Sequence, residues 1–304
     1  MIVRSRGTIL RMLFSWKGSV LKKIYPNLLL LFAFSWGVYF YHKYTPNTDF
    51  PLNVTVFTLM GISLAIFLGF CNSAAYDRFW EGRKLWGSLV IHTRSLAFQI
   101  QNYCGTSKRE QGYSIDLIIA FTYALNGQLR SKDMMTEMRR LLPAEFCDTL
   151  ATKRYKPAVI LNELTRWLQD QQKAGYIDSI EKVRIDQNIN ELSSILGGCE
   201  RILHTRIPFV YFVLLHRTVY LYCFLLPFGL IDTISWAMPF FVTFVAYSFI
   251  ALDAIVAEIA EPFGYEENDL ALDNMSQNIE YSLCELVGKP LPQVTEPNAN
   301  FILS

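Results

Sequence analysis

The run from Val54 to Ala75 contains no charged residue. At about 1.5 Å of helical rise per residue it reaches about 33 Å, enough to cross the ~30 Å hydrocarbon core of a bilayer. Ile62, Ile66 and Phe70 recur at every fourth position and so form one stripe along a helix. Gly61, Ala65, Gly69, Ser73 and Ala74 are the small residues that let helices approach closely in a membrane. Beyond Ala75 come Asp77, Arg78, Glu81, Arg83 and Lys84, which place the exit from the apolar phase there.

The rest of the chain repeats the pattern. Asn27–Tyr44 is a first span whose end carries Trp36, Tyr39, Tyr41 and Tyr44, an interfacial aromatic belt. A short turn with Pro46 and Pro51 joins it to the second. Ile207–Leu230, bracketed by Pro208 and Pro227, is a third span and Ile234–Ala260 a fourth; the link between them has Asp232 and no Lys or Arg. Met1–Pro26 carries Arg4, Arg6, Arg11, Lys17, Lys22 and Lys23 with interleaved apolar residues, as in a helix lying on a membrane surface, and it lacks a signal-peptide cleavage pattern. The Lys/Arg excess on this arm and after the second span predicts that both face the cytoplasm, and four spans return the C-terminus there. A mean hydropathy of +0.21 with 18% charged residues fits a chain that is part membrane and part soluble.

The soluble part is predicted between the two hairpins. Residues 76–206 have no span-length apolar run, and four helical faces recur in them: Trp86–Tyr103, Ile115–Leu125, Val159–Leu168 and Ile180–Leu192. The expected organisation is a basic arm over 1–26, a hairpin over 27–75, a helical cytosolic domain over 76–206, a second hairpin over 207–260 and an acidic segment over 261–304, disordered at its end. The six cysteines show no metal-ligand spacing and read as small buried residues in a reducing setting. Signatures of nucleotide-binding loops, serine hydrolases and zinc peptidases are absent, no enzyme is predicted, and no basic-aromatic patch points to nucleic acid.

Several of these segments resemble bestrophins, particularly their bacterial branch. The resemblance lies in Leu68-Gly69-Phe70, Arg78-Phe79-Trp80 and Trp86-Gly87, in Phe14–Val20 near the start, and in Pro262-Phe263-Gly264 followed by acids. It implies an all-α integral membrane protein with four transmembrane helices, a homopentamer around a central pore in the bacterial inner membrane. It further implies a pore neck of Ile62, Ile66 and Phe70, and a second constriction where the cytosolic vestibule opens, assigned here to Ile180 at the start of the helix returning to the membrane. Periodicity alone reads both as packing residues. Bacterial members resemble one another in preferring cations and animal members pass anions; monovalent cations are the expected cargo, with chloride as the alternative. In animal bestrophins the acidic cluster binds calcium, which makes Glu266 and Asp269 candidate ligands of a divalent cation; no other cofactor is expected. The competing reading of that segment is a helix-start cap that docks the tail.

Other readings stand beside the channel. A secondary transporter would show inverted repeats and broken helices, and a membrane-tethered scaffold would need only the cytosolic domain. His216 and Arg217 fall in the third span, with Asp253 and Glu258 in the fourth. Counting from the span ends places Arg217 deep and Asp253 near the interface, which argues against a simple pair.

Overall fold

The computed structural model describes residues 18–45 and 54–293, and the only regular structure among them is helical. Most of the basic arm, the Pro46–Pro51 turn and the end of the tail lie outside the described residues. In chain order the helices are α1 (Leu21–Tyr44), α2 (Val54–Tyr103), α3 (Lys108–Arg130), α4 (Met135–Leu141), α5 (Ala144–Ala151), α6 (Lys156–Lys173), α7 (Ser179–His204), α8 (Phe209–Ile234), α9 (Met238–Ile259) and α10 (Leu272–Val287). The chain divides into two compact units, one of residues 5–79 and 206–261, the other mainly of 80–205 and 262–304.

The first unit contains the apolar helices. Three stretches are long and apolar enough to cross a membrane: Leu21–Tyr44, part of Val54–Tyr103, and Phe209–Ile259. The third is two helices, because Ser235 adopts φ 47 and a 3-10 turn over Ser235–Ala237 reverses the chain. α9 packs on α1 and α8 around Leu31, Leu64, Leu68, Val219, Leu226, Val242 and Ile250. Gly229 sits so close to Phe57 that a Cβ there would lie 2.3 Å from the ring. Of the small residues along the second span, Gly61 makes such a contact, 2.8 Å from the Tyr222 hydroxyl, whereas Ala65, Gly69, Ser73 and Ala74 are exposed.

Element ends differ from the sequence reading where leaving lipid does not mean leaving the helix. α1 begins at Leu21, before Asn27, and holds Pro26 in its second turn. α2 passes Ala75 without a break and runs for 50 residues. Its charged residues end the apolar stretch, but no proline interrupts the backbone ladder.

The second unit is built around α3, whose residues from Ser114 to Gly127 are all buried except the half-buried Asp116. α6, α10 and α4 pack on it. Ser107 caps α3, its hydroxyl accepting from Glu110 N. The acids of the tail are the means by which α10 docks. Glu280, with 3% of its side chain exposed, accepts 2.6 and 3.0 Å hydrogen bonds from Arg140 and one of 2.6 Å from the Tyr123 hydroxyl. Asp273 lies 3.1 Å from Arg130 and accepts from Asn126 at 2.6 Å, and Lys289 bonds Asp116 at 2.6 Å. Of the sequence-derived faces, that of α7 is mixed: Ile189 and Leu192 are buried, while Ile180, Val183 and Gln187 form an exposed row.

All six cysteines are free, five of them buried and Cys71 half-buried. Burial pushes the thiols of Cys104 and Cys199 up to about 12, with Glu181 adding to the first rise and Glu200 and Glu81 to the second. Their folded values lie above the unfolded value of 9.0. The stability they contribute is therefore complete below pH ~9 and is lost as pH rises toward ~12. Each should steepen the alkaline fall of stability by up to ~1.4 kcal/mol per pH unit. Unfolding midpoints measured across that window should fall less steeply in Cys199→Ala than in the parent protein.

Candidate functional site

In its first half α2 has two apolar faces. Phe57, Leu64, Leu68 and Ala75 are buried against the other helices of their unit. Ile62, Ile66 and Phe70 point the other way and are 54%, 57% and 71% exposed. Successive members stand about 6 Å apart along the axis. Polar helices expose polar residues; this one presents large apolar side chains on the face left open by a single chain. Such a face requires lipid or further copies of the chain against it. Closed into a ring by symmetry-related copies, it makes a dry constriction that opposes ion entry by dewetting.

Where α2 leaves its apolar stretch, Arg78 donates from Nε to the carbonyl of Ala260 at 2.7 Å. That carbonyl lies at the C-terminal end of α9, among groups with no partner inside the helix. The arginine of the Arg-Phe-Trp motif thus ties two helix ends together. Trp80 lies 5.5 Å from the Arg83 guanidinium.

Ile180 stands on the first turn of α7 and is 68% exposed, while Ile177, three residues before it, is 4% exposed and belongs to the core. A capping box fixes this turn. Asp178 Oδ1 accepts from the backbone N–H of Ile180 and of Glu181 at 2.7 Å each, and Glu181 Oε2 accepts from Asp178 N at 3.1 Å. The carboxylates flanking Ile180 therefore act first on the backbone, and they hold the isoleucine outward.

Glu266 and Asp269 are brought together by a turn. Asp269 Oδ2 accepts from Glu266 N at 2.7 Å, and Asp269 N donates to Glu266 O at 3.1 Å. Asp269 is buried. Among the described residues no group of three His, Cys, Asp or Glu side chains gathers that could hold a metal ion. The two residues thereby close a turn ahead of α10.

An in-span pair does form, against the expectation from depth, with His216 rather than Arg217 as the partner of Asp253. His216 Nδ1 lies 2.9 Å from Asp253 Oδ2. His216 is seven residues into α8 and Asp253 six residues from the end of α9, so each stands about 9–11 Å from its helix end. Asp253 therefore lies deeper than the interfacial position expected of it. The His216 ring also contacts Tyr220 at 4.4 Å between centroids, and the Tyr220 hydroxyl accepts from Asn27 at 2.7 Å. Glu258, one turn nearer the end, pairs with Lys23 at 3.2 Å. Arg217 is exposed and pairs with no acid among the described residues. A histidine and an acid equally distant from the ends of consecutive antiparallel helices were the available signal.

A family profile described as "Bacterial/Fungal Bestrophin protein" matches residues 1–285. A voltage-dependent anion channel-forming protein of Ralstonia nicotianae is 41% identical over 295 residues, 95% of each chain. One of the same description from Escherichia coli K12 is 37% identical, covering 94% of each. The crystal structure of a bestrophin homologue from Klebsiella pneumoniae superposes with a TM-score of 0.83 at 36% identity, covering 88% of this chain and 99% of the other.

Proposed function

This chain belongs to the bacterial and fungal bestrophin family, and from that premise we propose that it is an ion channel assembled as a homopentamer in the inner membrane. Four spans cross the bilayer, with both termini on the cytoplasmic side. Ile62, Ile66 and Phe70 form the neck in five copies, and Ile180 forms a separate aperture in the helical unit. The observation that carries this reading is the apolar stripe of α2, exposed in a single chain opposite a fully packed face.

The sign of the carried ion has support on both sides. The relatives' names speak of anion channels, and on that count the anion reading is the better supported. The cation reading rests on Asp178 and Glu181 beside Ile180, whose charge favours cations at a narrow opening. Reconstitution into planar bilayers under a salt gradient tests both levels. Unitary currents of channel size support the channel and their absence removes it; the reversal potential gives the sign.

Ile180→Ala is expected to leave the protein folded and to change relative permeability among ions of different size. An isoleucine of the core would instead lose about 2–5 kcal/mol on truncation. Wild-type ion preference in a destabilised Ile180→Ala protein would return this residue to the core.

A further inference from the structure

The helical unit holds a cavity of about 510 Å³, walled by the end of α3, the turn after it, α4 and the start of α6. Small-molecule sites commonly enclose about 300–1,000 Å³. Its wall depends on one tight turn. Ser131 adopts φ 52, and Lys132 N donates back to Gly127 O at 2.9 Å. A Cβ on residue 127 would lie 2.8 Å from the Lys132 carbonyl oxygen and 2.8 Å from Met134 Cγ, so the turn requires glycine.

The lining separates by chemistry. Ala124, Met138 and Pro157 are buried and form an apolar floor with Met134 and Met135. Lys132, Arg154 and Lys156 stand at the rim against a single acid, Asp133, whose Oδ1 accepts from Met135 N at 3.0 Å. Lys132 shares Asp273 at 3.3 Å. Arg154 lies 5.4 Å from the ring of Tyr155, and among the described residues neither Arg154 nor Lys156 has a carboxylate within ion-pair distance. α6 begins at Lys156 with no side-chain cap, so its positive end adds to the field. Gln128 donates its amide to Glu200 at 2.6 Å, while its own carbonyl oxygen is buried without a partner among the described residues.

We propose that this cavity binds a phosphate monoester carried on an apolar body. The dianion lies against Arg154, Lys156 and the head of α6, where two uncompensated cations meet it with charge-assisted hydrogen bonds. The body rests on the methionine floor, and a ligand hydroxyl donates to Gln128 Oε1. Such an ester comes either from a soluble metabolite or from a lipid headgroup.

The test uses the full-length protein in detergent, titrated with 1-naphthyl phosphate and with dioctanoyl phosphatidic acid. Inorganic phosphate, 1-naphthol and dioctanoyl phosphatidylcholine serve as controls. Saturable binding of at least one ester is expected, about tenfold or more tighter than any control, with a raised unfolding temperature. Tighter binding of the naphthyl ester assigns a soluble ligand, and tighter binding of the phosphatidic acid assigns a lipid. The Arg154→Gln/Lys156→Gln protein should lose at least tenfold in affinity. Should it fail to fold, Ala151→Trp, which fills the cavity from its exposed rim without removing a charge, should abolish binding by itself. Absence of saturable ester binding, or binding unchanged in Ala151→Trp, overturns the proposal. None of these readouts depends on ion conduction.

Discussion

Ile66→Ala is expected to raise single-channel conductance or open probability, and the combined Ile62→Ala/Ile66→Ala/Phe70→Ala protein to do so by about tenfold or more. The expectation rests on the stripe standing more than half exposed on α2 while the opposite face is packed. Trimming an exposed side chain removes little stability from the single chain, so the change should appear in permeation before it appears in folding. If the three residues narrow a dewetted neck, lowering its barrier by even ~1.4 kcal/mol multiplies the crossing rate tenfold. Polar replacement, Ile66→Ser, should act in the same direction by wetting the ring. Bilayer recordings of assembled protein decide the matter. Currents indistinguishable from wild type in the triple variant would assign the stripe to lipid or to neighbouring helices, and the proposed neck would have to move.

The second large effect concerns stability. Trp86 is among the largest fully buried side chains of the molecule, at 0% exposure. Trp86→Ala should destabilise the protein by about 3–5 kcal/mol. Its indole N–H, however, has no hydrogen-bond partner among the described residues. An unmade hydrogen bond of a buried donor costs about 1–3 kcal/mol. Trp86→Phe removes that donor along with a few ring atoms, so the loss of packing is offset and the protein should stay within about 1 kcal/mol of wild type. Thermal unfolding followed through the helical signal separates the two variants. A Phe variant as unstable as the Ala variant would show that the indole makes a polar contact after all. The comparison also bears on the Trp-Gly pair that helped reveal the family: on this reading the tryptophan serves packing.

What the sequence disclosed, and what it hid, follows the physics of each region. The apolar runs and the every-fourth-residue stripe were legible because lipid imposes length and composition on the chain. Which side of α2 was open was not legible, since Leu64 and Leu68 are as apolar as Ile62 and Ile66 and lie on the buried side. Periodicity marks a face where water meets one side of a helix; an apolar surround erases that contrast. The choice of Ile180 over Ile177 rested on continuity with Val183 and Gln187, and the structure exposes that row and buries Ile177. Its capping box was readable in Asp178 and Glu181, the Asp-x-x-Glu spacing that begins many helices. The pairing of His216 with Asp253 and the docking of Glu280 on Arg140 and Tyr123 join residues far apart in the chain. No local pattern announces such pairs.

The hydrogen bonds that tie Asp178 to the first turn of α7 have a kinetic consequence. Helix ends ordinarily fray, and a side chain on a frayed end wanders with its backbone over nanoseconds to microseconds. Here the turn beneath Ile180 is stapled, so its motion reduces to rotamer hops of an exposed side chain, which take picoseconds to nanoseconds. An opening built on such turns presents each passing ion with an average width that has already settled. If Ile180 lines the proposed aperture, that aperture works as a sieve of fixed mesh and leaves opening and closing to other parts of the protein. Cutting the staple with Asp178→Ala would turn the sieve into a door, and the passage of ions through it would become noisy before it became faster.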